Sequence, residues 1–122
     1  MEFAPKLAAA RQKKIDATIN LAIMEQHFAA KKAQAEIAII EDAGGIKELG
    51  SNVEMQNREL TARLDRLPAE SVYQTANRDL FQAKRELLER TGTLDCLLDA
   101  RRDFENALRQ GELTYSQIKA EG

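Results

Sequence analysis

From Lys6 to Ala43 the chain contains neither glycine nor proline, and Pro5 stands just before this run. Proline is tolerated in the first turn of a helix, where its missing N–H has no acceptor in any case, so the pattern predicts a helix over about 6–43. At ~1.5 Å per residue that helix is a rod of about 55 Å. A core built from 122 residues does not enclose a rod of that length. The rod must instead lie along other helices.

Its apolar residues say how. Ile19, Ile23, Gln26, Ala30, Ala33, Ile37 and Ile40 alternate four and three apart, the spacing of a seam against a parallel or antiparallel partner helix. The small side chains of Ala30 and Ala33 admit a close neighbour. A second stripe, Leu21, Met24, Phe28, Ala35 and Ile39, lies on another face, interrupted by Lys31 and Lys32. A helix apolar on two sides needs more than one neighbour. One can come from this chain and the other from a second copy, so Ile19, Ile23, Ala30, Ala33, Ile37, Leu21, Met24 and Phe28 are the candidate oligomer contacts.

The stretch IEDAGGIKELGSNVEMQNREL, residues 40–60, interrupts the helical pattern. Gly44 and Gly45 suit the left-handed conformation that ends a helix, and Ser51 with Glu54 three residues later has the form of a capping box. The expected connector is 44–50 and the next helix 51–66, with Val53, Leu60, Leu64 and Leu67 on one side before Pro68 forces a boundary or bend. Ile46 and Leu49 are apolar residues on this connector. They either plug the end of the helix pair or contact another protein.

A third helix is expected over 69–110, where Leu80, Ala83, Leu87, Leu94, Leu97, Phe104 and Leu108 keep heptad-like spacing through Gly92. Gly111 is expected to end it, leaving 111–122 as a mobile or docking tail. Charge pairs at helical spacing, Glu54–Arg58, Glu59–Arg63, Glu86–Arg90 and Glu105–Arg109, fit the same reading. No hairpin turn or alternating β-branched run argues for strands. The expected fold is all-α: a long antiparallel helical hairpin or coiled coil with a short intervening helix, a single domain over 1–122, assembled as an oligomeric bundle.

Composition narrows the function. Lys and Arg number 18 against 20 Asp and Glu, which gives no global drive toward nucleic acid or anionic lipid. Aromatics are only 5%, with no Trp, which suits Ala- and Leu-lined helix seams. A single cysteine, Cys96, excludes an internal disulfide and a cysteine-based zinc cluster within one chain. No signal-peptide core or membrane-spanning run is present, so a cytoplasmic location without membrane attachment is expected.

Candidate chemistry is sparse. His27 would need a second ligand three or four residues on, and Ala30 and Lys31 stand there. Cys96 has no histidine near it in sequence to act as a base. The acidic pairs Glu41–Asp42 and Asp95–Asp99 lack a calcium-loop pattern. The glycine stretch has no phosphate-loop order, because Lys47 precedes Gly50 and no strand comes before it. No catalytic group, metal or cofactor is expected. The basic doublets Lys13–Lys14 and Lys31–Lys32 are the candidate nucleic-acid contacts if a dimer aligns them, although acidic residues are interleaved and aromatics are few.

Gly45, Lys47, Leu49, Gly50, Asn52 and Glu54 together read G-x-K-x-L-G-x-N-x-E between Ala- and charge-rich helices. This pattern resembles that of a loose group of small uncharacterised helical proteins of bacteriophages and prophages, in which a tight turn leads to a helix opening with an acidic residue and then an arginine. Gln56 stands where the arginine is expected, with Arg58 two further on. The resemblance covers about a fifth of the chain. It implies an accessory or structural phage-type component in an infected or lysogenic host, and implies no activity. The leading expectation is a non-enzymatic protein that oligomerises, as a dimer or higher assembly, and acts through protein contacts; the alternative is a nucleic-acid-associated accessory protein.

Overall fold

The computed structural model describes residues 2–121, with side chains over 2–111. Among the described residues the chain is all-helical, with no strand. Three α-helices are present there, α1 (Phe3–Ala43), α2 (Val53–Asp65) and α3 (Val72–Glu121), with a short 3₁₀ helix (Ile46–Leu49) between the first two.

The helix boundaries refine the sequence reading in four places. α1 begins at Phe3, so Pro5 is its third residue, still within the first turn where N–H groups have no helical acceptor. α2 is capped by Asn52, whose side-chain oxygen accepts the Met55 N–H at 2.8 Å, and not by Ser51 as expected. The Ser51 hydroxyl donates to the Met55 sulfur instead, at 3.3 Å. α3 starts at Val72, three residues later than expected, because Ser71 supplies its cap by accepting the Gln74 N–H at 3.2 Å while its own N–H closes a turn onto the Pro68 carbonyl. α3 also runs through both Gly92 and Gly111, so Gly111 does not end it. One glycine among good helix formers costs only about 1 kcal/mol, less than its neighbours regain. The side chains of 112–122, expected as a mobile or docking tail, lie outside the described residues.

The contacts divide into two compact units, each with its own core. The first joins Met1–Ala17 to Glu86–Gly122. Leu7, Ala10 and Leu94 are buried there, with Phe3, Leu97 and Leu98 packed on them, and the Phe3 and Phe104 rings stand 5.7 Å apart. The second unit is Thr18–Arg85. Its core gathers Ile39 from α1, Leu49 from the 3₁₀ helix, Leu60 and Leu64 from α2, and Tyr73 from α3. Phe28, Ala35, Ile40, Ala43 and Leu67 pack against this cluster, and the Phe28 and Tyr73 rings lie 5.6 Å apart. A 13-residue helix such as α2 is marginal alone, and these contacts hold it. The end of α2 is also tied to α3: the Gln74 amide donates to the Leu64 carbonyl at 3.2 Å and lies 3.5 Å from the Asp65 and Leu67 carbonyls. The Leu64 and Asp65 carbonyls belong to the last turn of α2, where the helix supplies no N–H donor of its own; the Leu64 carbonyl also accepts the Leu67 N–H at 3.2 Å.

Tyr73 has an electrostatic consequence. Burial raises the pKa of its phenol above the ordinary 10.0, and the nearby carboxylates of Asp65 and Glu36 raise it further. Below pH 10 the phenol is neutral in both folded and unfolded chains. Above it the unfolded chain loses the proton first, so stability falls as pH rises through the folded value. Tyr73→Phe is therefore expected to lessen the drop in melting temperature between about pH 9 and pH 11, read by thermal melts of both proteins across that range. An equal drop in the two proteins would contradict it.

Candidate interaction surface

The helix pitch decides where the two stripes of α1 point. At 3.6 residues per turn, Ile19, Ile23, Gln26, Ala30, Ala33 and Ile37 fall within about 80° of arc, and Leu21, Met24, Phe28, Ala35 and Ile39 within about 60° on the opposite side. The structure treats these sides differently. Ile39 is buried, and Leu21, Met24, Phe28 and Ala35 are half-buried. Phe28, Ala35 and Ile39 belong to the core of the second unit. On the other side Ile19 is 55% exposed, Ile23 54% and Ile37 56%, and Gln26, Ala30 and Ala33 are exposed with them.

The eight residues named as candidate oligomer contacts thus separate into two sets. Leu21, Met24 and Phe28 lie on the side that this chain covers itself, whereas Ile19, Ile23, Ala30, Ala33 and Ile37 form an open apolar strip. Ile40, the last seam position, turns inward against the core, so the open strip ends at Ile37. The strip carries no charged side chain. Glu36 stands about 60° beyond the edge of the strip and pairs at 4.0 Å with Lys32, which lies further round, toward the packed side.

The connector separates in the same way. Leu49 is buried in the core, which makes it the plug of this unit, whereas Ile46 remains exposed. Val53 and Met55, at the start of α2, are exposed too. Gly44 and Gly45, at φ 90° and 126°, take the positive-φ backbone that lets the chain leave α1, with the Gly45 N–H donating to the Ile40 carbonyl at 2.9 Å. Val53, expected on one side with Leu60, Leu64 and Leu67, is thus left outside the core that Leu60 and Leu64 enter, because it stands at the first turn of α2, beyond the reach of the cluster.

The basic doublets do not stand as open pairs. Lys13 and Lys32 are exposed and Lys14 and Lys31 half-buried, with Lys32 beside Glu36. The Arg101–Arg102 doublet is engaged by Glu105 at 3.8 Å and Asp99 at 3.5 Å. His27 and Cys96 are exposed. Among the described residues no group of three or more His, Cys, Asp or Glu side chains is placed to share a metal ion, and no helix is long and apolar enough to cross a membrane. Set against protein families, curated proteins and solved structures, the chain matches none.

Proposed function

We propose that this is a non-enzymatic helical protein that acts through protein contacts and self-associates through the open side of α1. The observation that carries the reading is the exposure of Ile19, Ile23 and Ile37 on the face opposite the one the chain packs against itself. An apolar strip that spans five helical turns and lacks charge is the kind of surface that a second helix covers. Together with the likeness of its turn to phage and prophage proteins, this makes the chain an accessory or structural component of such a system in our reading. A coding position among phage genes is the matching expectation.

Ile23→Glu tests the self-association directly. Placing a carboxylate in the middle of an apolar seam is expected to weaken association about 100-fold, because pairing would desolvate the charge without a partner. Sedimentation velocity at tens to hundreds of micromolar should find the unaltered chain as a dimer or larger and the variant as a monomer, with the same helical circular dichroism. A monomeric unaltered chain throughout that range would end the proposal.

A further inference from the structure

The open strip contains a symmetry of side-chain size. Ile19 and Ile37, Ile23 and Ala33, and Gln26 and Ala30 are three pairs, each equidistant from position 28. All six members are exposed on one face of α1 within the second unit. We infer that a second copy of this chain docks on the strip antiparallel, with the two-fold axis crossing α1 at the level of residue 28. This rests on the self-association proposed above and adds its direction and register.

Packing is the reason for the direction. In the antiparallel register Ile23 meets Ala33 of the second copy and Gln26 meets its Ala30, so large faces small in the four inner layers. Ile19 then meets Ile37 at each end. Two helices keep one spacing where the facing pairs have similar summed size, and large against small achieves this through the four inner layers, with the Ile19–Ile37 layers confined to the two ends. A parallel pairing sets like against like. It would place Ile on Ile at three layers and Ala on Ala at two adjacent ones, so the helices would be held apart by the isoleucines where the alanines leave voids. The antiparallel layers also follow the a-to-d register of a coiled coil, since Ile23, Ala30 and Ile37 share one heptad position and Ile19, Gln26 and Ala33 the other.

Charge and area agree with a second copy as the occupant. Identical surfaces repel when they carry net charge, and this strip carries none; on one flank Asn20 and Gln34, which the register brings side by side, are polar and neutral, and on the other the Glu36 carboxylate is offset by Lys32 at 4.0 Å. The strip is about 27 Å long, from 18 rises of ~1.5 Å, and pairing it with its copy covers on the order of 1,000 Å² in total. That is the low end for a specific interface, so the association is expected to be reversible and dependent on concentration.

Cross-linking reads the direction. In a Cys96→Ser background, Ile19→Cys and Ile37→Cys chains of distinguishable mass are prepared, checked for unchanged helical circular dichroism, and treated with a short bis-maleimide singly and mixed. The antiparallel register expects at least about 10-fold more cross-linked dimer in the mixture than in either chain alone, since like positions lie about 27 Å apart along the axis. Efficient cross-linking of each chain with itself would establish parallel pairing and overturn the inference while leaving self-association intact. Absence of cross-links in every combination, with sedimentation still finding dimers, would overturn it by placing the contact elsewhere. A monomer in sedimentation would instead remove the self-association on which both depend.

Discussion

Leu64→Ala should unfold the second unit more readily than any other single truncation on α2, at a loss of about 2–5 kcal/mol. Leu64 is 2% exposed and sits in the cluster where α1, the 3₁₀ helix, α2 and α3 meet, so no one neighbour can move to fill the space without leaving another. The lost transfer energy of the deleted carbons is then joined by a cavity term. For a chain of this size the change corresponds to a melting temperature lower by about 10 °C or more. The control is the same deletion on the surface: Leu88 is 74% exposed, and Leu88→Ala should stay within about 0.5 kcal/mol of the unaltered chain. Thermal melts of both variants at one protein concentration check the pair. Similar melting temperatures for the two would mean that the Leu64 cluster is not the core of the second unit.

Two glycine-to-alanine changes should move stability in opposite directions. A Cβ added to Gly50 would stand 2.7 Å from the Met55 Cβ, 3.0 Å from the Gln56 nitrogen and 3.1 Å from the Met55 carbonyl carbon. Its φ of 166° is ordinary extended backbone, so space and not backbone strain forbids the side chain. The neighbours are the Met55 Cβ, fixed to the helix, and α2 backbone, and the Gln56 side-chain amide donates to the Gly50 carbonyl at 3.2 Å, so making room displaces the connector from the helix. Gly50→Ala is expected to cost about 1–3 kcal/mol. Gly92 lies inside α3 with nothing within 4 Å of its would-be Cβ. Gly92→Ala is expected to stabilise by about 0.4–1 kcal/mol, chiefly by narrowing the unfolded ensemble. Urea midpoints measured side by side decide it, and a loss at Gly92 or a gain at Gly50 would contradict the close approach at the connector.

These two glycines mark where sequence reading stops. The sequence puts Gly50 in a connector and Gly92 inside a helix, but only the tertiary structure shows that a side chain at Gly50 would press on the start of α2 while one at Gly92 would meet open space. The cap of α2 is similar. Ser51 and Asn52 are both good capping residues, and Asn52 takes the role because the entry of the chain from Gly50 aims its side chain at the Met55 N–H. Leu49 could be read as a plug or a contact, and only the meeting of α2 and α3 beneath it makes it core. The clasp of Gln74 on the last carbonyls of α2 joins residues ten apart across a turn, a distance that no periodicity reports.

What the amino-acid order determined alone was the helical class, the two apolar sides of α1, the break at Gly44 and Gly45, and the passage of a helix through Gly92. These follow from local causes: backbone preferences, the 3.6-residue repeat, and the rarity of glycine and proline. The tertiary structure decided which apolar side is covered. Either stripe satisfies the same periodicity, and only the approach of Leu60, Leu64 and Tyr73 selects the one bearing Phe28 and Ile39. It thereby leaves Ile19, Ile23 and Ile37 facing outward, because one helix face can bury itself against only one set of neighbours at a time.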